Sequence, residues 1–235
     1  NHLSTAALIG AVAVTMFFTA GAEIRQMAAS AAVAATVLWL LIWRMPYRWQ
    51  RVLTFMDPSS DPTGAGYQVL RTLDAIMRGG VVGVGLGNGQ QKHLIPAPHT
   101  DAAFAVLGEE TGLVGCLLVV GLFALFAWRG FRVAAGSTDR FASLLALGIT
   151  CWIAFQALVD IAVVTAFMPF TGVPMPFVSY GGSSLVACLA ASGILLNLSR
   201  QVDPTRTGAN AFMGLWRRHG RSRLSRDHRA RSRDW

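Results

Sequence analysis

The run from Ala102 to Trp128 constrains this chain more than any other feature. Only two charges, Glu109 and Glu110, interrupt it, and a helix needs about 20 consecutive apolar residues to cross a bilayer. Four more apolar stretches accompany it: Leu3–Ala20, Met27–Trp43, Phe141–Met168 and Ser183–Leu198. Hydrophobic residues make up 53% of the 235 and charged residues only 14%, against roughly 25% charged in a soluble domain. A soluble helical bundle would carry charged stripes along its helices, and these runs have almost none. The sequence therefore predicts an all-α integral membrane protein, a polytopic helical bundle with about five transmembrane helices. The second and fifth spans are short for a crossing helix, which implies boundaries offset by several residues.

Charge is unevenly placed along the chain. Of the net +8, a surplus of about seven comes from residues 200–235, where ten arginines face Asp203, Asp227 and Asp234. Residues 1–200 then read as the membrane domain and residues 201–235 as a basic, disordered arm. The positive-inside rule puts that arm in the cytoplasm, able to meet anionic lipid headgroups. Nucleic acid is not expected, because no recognition fold accompanies the charge. Arg129, Arg132 and Arg140, two crossings earlier, fall in a short loop on the same side. Residues 44–101 form a long external loop, rich in Gly, Pro, Asp and Gln, with one helical-looking piece from Tyr67 to Met77. Cys116, Cys151 and Cys188 lie inside apolar runs, without a CxxC pair, and read as small core residues. Asn1 opens the chain and no basic segment precedes the run at Leu3, which reads as a chain cut inside a longer protein and not as a signal peptide.

Asp101 stands immediately before the longest apolar run, after Pro96, Pro98 and His99. An ionisable group at a membrane boundary usually faces protein or a polar cavity. Two readings stay open: an N-cap that accepts the first free backbone N–H groups, or a general base, which needs a raised pKa. His99 either tunes it or lies at the interface. Glu109 and Glu110 follow about two helical turns later, too far to share one reacting atom with Asp101. Glu109 is expected to line the same groove, and Glu110, on the opposite helix face, to act as polar glue between helices. Gly108, Gly112 and Gly115 favour close packing there.

The glycine string from Gly79 to Gly89 contains no phosphate-loop signature, since His93 follows Lys92, and it belongs to no βαβ unit. Its glycines permit tight turns, and successive N–H groups could cradle a phosphate. Between Pro169 and Ser184, Pro174 and Pro176 prevent a regular helix. Broken backbone at membrane depth belongs in a protein interior or beside a cavity, which makes Ser179, Tyr180, Ser183 and Ser184 hydroxyl donors to such a cavity. No G-x-S-x-G elbow is present. Gln156 and Asp160 share one face of the fourth span, where they pair with a neighbouring helix or line the same cavity.

Three long blocks carry a resemblance to a known family. The first is Tyr47-Arg48 through Arg51, Phe55-Met56-Asp57-Pro58, Asp61-Pro62 and Gly66-Tyr67-Gln68. The second runs from Gly79-Gly80 through Gly85-Leu86-Gly87, Gln91-Lys92 and Pro96 into His99-Thr100-Asp101, Gly108-Glu109-Glu110 and Gly112-Leu113. The third is Thr171-Gly172, Pro174, Pro176-Phe177 and Ser179-Tyr180-Gly181-Gly182-Ser183-Ser184. Together they resemble the shape, elongation, division and sporulation family, the FtsW/RodA-like peptidoglycan polymerases, and the division and sporulation branch in particular. The chain departs from the family pattern at Ala102-Ala103-Phe104, usually Phe-Ile-Phe, and at Asp160, commonly Asn.

The resemblance implies a ten-helix protein of the bacterial inner membrane, of which this chain is the C-terminal half. It implies glycosyl transfer on lipid II, the undecaprenyl-pyrophosphate-linked disaccharide-pentapeptide, with Asp101 as base on the extracytoplasmic side. Arg48, Arg71 and Lys92 are then candidates to hold pyrophosphate or peptide carboxylates, with Gln68 and His99 nearby. A divalent cation such as Mg or Mn would suit the pyrophosphate, although no ligand cluster names a site. Implied partners are a class B penicillin-binding protein transpeptidase, other divisome proteins and membrane lipids. A lipid-linked substrate flippase or a catalytically silent membrane partner is the alternative.

Overall fold

The structure is a computed structural model that describes residues 3–44, 53–57, 64–95 and 102–202. Arg48, His99, Asp101 and the tail from residue 203 onward lie outside the described residues. Among the described residues six longer helices are present: α1 (Leu3–Ala20), α2 (Ile24–Trp43), α3 (Ala65–Gly79), α4 (Ala103–Gly136), α5 (Arg140–Val164) and α6 (Gly182–Ser199). A 3₁₀ turn at Gln91–His93 separates α3 from α4.

Helix α5 is the centre of the bundle, with α4, α1 and α6 around it. Its small residues make this possible. Ala142, Ala146, Gly148, Cys151 and Ala157 are buried, and a side chain at Gly148 would run into Met16 of α1. Close approach through small residues is how helices associate where lipid removes the hydrophobic drive between them. Ala134, Leu147, Ile149, Ile153, Ala191 and Leu195 complete this core. Leu117, Leu118, Leu122 and Leu125 of α4 face outward, a surface that lipid can cover.

Helices α4, α5 and α6 are each long and apolar enough to cross a membrane among the described residues. The architecture is that of a polytopic helical membrane protein, with three such helices against the five expected. The apolar helix within α1 runs only from Ser4 to Ala20, and α2 opens on Arg25 and Gln26. The third span is also longer than expected. Helix α4 continues past Trp128 to Gly136, so Arg129 and Arg132 ride on its last turns instead of a loop, both stacked on the Trp128 ring. Asp139 caps α5 by accepting the Ala142 N–H at 3.0 Å.

The two ends of the bundle differ in chemistry. At one end, Ala20 meets Arg140, and Gly136 lies against Val202, close to Arg129, Arg132 and Arg200 in the chain. At the other end, Ala75, Ile95, Ala102, Phe104, Val164 and Met175 form a second core, and Ser4 donates to the Thr171 carbonyl at 2.9 Å. This second end gathers α3, the start of α4 and the segment between α5 and α6. As its prolines predict, the chain from residue 165 to 181 is not helical. Phe177 anchors that segment between Phe123 and Phe126 of α4.

Candidate functional site

Helix α4 breaks at Gly112, whose backbone (φ 66, ψ −164) is far from helical. A straight helix would bond the Leu113 N–H to the Glu109 carbonyl and the Val114 N–H to the Glu110 carbonyl. Here those four groups turn to the glycine-rich loop instead. The Glu109 and Glu110 carbonyls accept from Val84 N–H (3.0 Å) and Gly85 N–H (3.1 Å). The Leu113 and Val114 N–H groups donate to the carbonyls of Gly80 (2.9 Å) and Val81 (3.2 Å). Two bonds lost inside the helix are replaced by four across to the loop. Only glycine fits at the centre of this splice. Gly83 adopts φ +85, and a Cβ there would overlap the Glu110 carbonyl oxygen.

The same bonds bear on the phosphate-cradle reading for the middle of the string. The N–H groups of Gly83, Val84 and Gly85 are spent on Gly79, Glu109 and Glu110 carbonyls, so they are not free to receive an anion.

Side chains reinforce the splice. Glu109 is 1% exposed, and its carboxylate accepts the Gln90 N–H (2.9 Å) and the Gln91 N–H (3.1 Å). The Gln91 amide, itself fully buried, donates to Asp74. Asp74 in turn pairs with Arg78 at 3.1 Å and lies 3.9 Å from Arg71. Glu110 points the other way, to Lys92, whose ammonium sits 3.2 Å from its carboxylate and 2.7 Å from the Gly87 carbonyl. Both glutamates hold the loop: Glu109 is buried beneath it, and Glu110, bonded also to the backbone of Gly87 and Gly89, stands at the wall of a groove.

That groove is an open cavity of about 270 Å³, lined by Leu86, Ala103, Val106, Leu107, Glu110, Thr111, Val178 and Tyr180. Its α4 residues repeat at helical spacing, so one face of the helix forms a wall. The walls are largely apolar, and Glu110 supplies the charged group. The cavity begins two residues after Asp101. The N-cap position of α4 falls on Ala102, with no side-chain cap bond among the described residues.

The other expected site residues divide. Tyr180 reaches the cavity. Ser179 is buried, where its hydroxyl accepts the Met175 N–H at 2.8 Å and holds the turn. Ser183 is exposed and Ser184 half-buried on the first turn of α6. Arg71 stacks on Tyr67 at 4.9 Å, Gln68 is half-buried on the same helix, and Lys92 is already paired. Asp160 is buried one turn from Gln156, whose amide donates to the Pro174 carbonyl at 2.8 Å. Gln91 and Asp74 were not anticipated as anchors. The spacing Arg71–Asp74–Arg78, matched to neighbours on one helix face, was the legible part of that network.

No group of three or more His, Cys, Asp or Glu side chains that could hold a metal occurs among the described residues. The described residues therefore do not fit the divalent cation expected at the pyrophosphate.

The model of the family described as "Cell cycle protein" (FTSW_RODA_SPOVE) matches residues 1–203. Stage V sporulation protein E of Bacillus subtilis (strain 168) is 41% identical over 199 residues, covering 84% of this chain and 54% of that protein. A probable peptidoglycan glycosyltransferase FtsW of Geobacter metallireducens is 40% identical over 206 residues, covering 87% and 55%. The one from Alkalilimnicola ehrlichii is 44% identical over 203 residues, covering 85% and 50%. A solved chain from a study of how a peptidoglycan synthase complex coordinates polymerization and crosslinking superposes with a TM-score of 0.63 at 30% identity. That match covers 79% of this chain and 52% of the other. The chain therefore spans about half the length of the curated relatives it matches. A family model fitted over almost the whole bundle, together with relatives at this level of identity, establishes that the chain belongs to the FtsW/RodA/SpoVE family of multi-pass membrane proteins.

Proposed function

We propose that this chain forms the catalytic half of a peptidoglycan glycosyltransferase that polymerises lipid II in the bacterial inner membrane, with Asp101 as general base. The observation that carries the reading is the cavity along Ala103, Val106, Leu107, Glu110 and Thr111, which opens two residues after Asp101. A membrane-embedded lipid with a sugar head needs such a site, apolar along its walls and polar at its mouth. In the reaction, the carboxylate of Asp101 takes the proton of the acceptor sugar's 4-hydroxyl. That oxygen attacks the anomeric carbon of the donor sugar, and the carbon–oxygen bond to pyrophosphate breaks, with its electron pair leaving on the phosphate.

Glu110 and Tyr180 are substrate-facing groups in this reading. Ser179, Asp160 and Gln156 hold the broken segment between α5 and α6. Arg48, Arg71 and Lys92 are the candidates at the pyrophosphate, with Gln68 and His99 nearby. A class B penicillin-binding protein and other division proteins are the partners. Loss of a general base costs ~10²–10⁴-fold in rate. Asp101→Asn in the full-length protein should lose that much lipid II polymerisation while lipid II binding is largely retained. Near-normal polymerisation by the folded variant would remove the base assignment.

The topology belongs to the same proposal: five crossings, with the cavity end outside and the arginine-rich end inside. The gathering of Arg129, Arg132, Arg140 and Arg200 toward one end supports it. A cysteine placed at Ser60 should react with impermeant reagent in intact cells, and one at Ser222 only after the inner membrane is opened. The reverse order would invert the topology and take Asp101 out of the wall compartment.

A further inference from the structure

The geometry points to the loop from Gly79 to Gly89 as a re-entrant membrane element, with Val81 and Val82 at its turn seated among lipid acyl chains. The segment between Arg78 and Lys92 contains no ionisable side chain. Val81 is 64% exposed and Val82 79% exposed, a poor arrangement for a loop surrounded by water.

The depth of the turn follows from its registration on α4. Gly80 and Val81 accept from the N–H groups of Leu113 and Val114, so the turn lies beside the outward-facing Leu113, Val114, Leu117 and Leu118. Valines and leucines from two segments thus form one continuous apolar surface. On α4, uncharged residues run only from Thr111 to Ala127 and Trp128, between Glu110 and Arg129. Those 18 residues span about 27 Å of helix, against ~30 Å of hydrocarbon. No slack is left, and tilt makes the shortage worse. The hydrocarbon boundary must therefore lie close to Glu110, and residues paired with Leu113 and Val114 are about one helical turn, ~5 Å, inside it.

Irregular backbone at that depth needs its polar groups satisfied within the protein. The four bonds to the α4 break do this for Gly80, Val81, Val84 and Gly85, and Gly83 donates back to Gly79. The charges that flank the loop are paired: Lys92 with Glu110, and Arg78 with Asp74. The helix break and the loop thus form one device that lets a short segment dip into lipid. This inference does not depend on the glycosyl-transfer reading.

The test uses full-length protein in phosphatidylcholine vesicles, with Cys116, Cys151 and Cys188 replaced by Ala. Val82→Cys and, in parallel, Val81→Cys are labelled with an environment-sensitive fluorophore. Insertion predicts blue-shifted emission, quenching by lipids brominated along the acyl chain, and little quenching by aqueous iodide. Two valine sites keep the test alive if one variant fails to fold. Efficient iodide quenching at both sites would put the loop in water and overturn the proposal. Protection from both quenchers would show that protein covers the turn, and would overturn it equally.

Discussion

Helix α4 meets its neighbours at Gly112 and at Gly130, and these two contacts are held by different physics. Near Gly130 it stays helical and lies against the Thr150 side chain of α5. Everything around that contact is small or apolar, among it Ala134, Ala146, Leu147 and Cys151. Near Gly112 the same helix opens, and the neighbour is a loop bound by backbone hydrogen bonds and buried polar side chains. Packing tolerates small shifts and repacking, whereas a hydrogen bond loses its strength within a few tenths of an ångström or a modest angle. The end of the bundle that carries the cavity is therefore the end fixed by direction-dependent bonds. The opposite end relies mainly on the fit of small and apolar side chains, with Ser143 donating to the Ala134 carbonyl and Arg140 to the Ala20 carbonyl.

The comparison breaks most completely at Gly112. Gly112→Ala removes the residue that tolerates φ 66 and favours a straight helix by about 1 kcal/mol. If α4 straightens, it recovers its own two bonds and abandons four groups of the loop, each costing about 1–3 kcal/mol when buried unpaired. Amide hydrogen exchange of residues 80–92 should lose its protection, and polymerisation should fall with it. Unchanged protection would mean that the splice does not hold the loop.

Glu109 sharpens the same contrast through a side chain. Glu109→Ala orphans the buried Gln91 N–H and the part-buried Gln90 N–H and should cost about 1–3 kcal/mol, read as a lower midpoint of thermal unfolding. Glu109→Gln keeps one acceptor oxygen and should lose less. Equal melting of both variants and the parent would reduce Glu109 to a filler of space.

The smallest effect belongs to the packed end. A Cβ at position 130 would overlap the Thr150 hydroxyl and lie 2.7 Å from its methyl group. Gly130→Ala should cost about 1–3 kcal/mol by overpacking, with catalysis intact once the protein is folded. Adding Thr150→Ala should relieve part of the strain, since the Thr150 Cβ still lies at 2.9 Å. A loss of activity larger than the loss of stability would show that the two ends communicate.

Much of the fold is legible in the chain because it rests on local patterns. Apolar runs of membrane length place α1, α5 and α6, and the start of α4, to within a few residues, whereas α4 runs on past Trp128 to Gly136. Pro174 and Pro176 break the chain after α5 as their chemistry requires. The site is less legible. Helical spacing separates Glu109 from Glu110 by about 100°, but nothing local says which side the loop will cover. The loop's own N–H groups look available to an anion until the carbonyls of Glu109 and Glu110 take them.

The sequence by itself determined that this chain is a membrane-embedded helical protein, and where its helices and its broken segments lie. It also placed Asp101 at the head of α4, since that is a matter of order along the chain. Tertiary structure alone decided that α4 opens at Gly112, that Glu109 is buried and Glu110 faces a cavity, and that Lys92 is paired. Gly108, Thr111, Gly112 and Gly115 weaken the helix locally, but a glycine inside a long apolar run does not by itself say that the helix opens there. The break persists because a loop from earlier in the chain supplies four bonds where the helix gives up two, and that exchange exists only once the two segments have met.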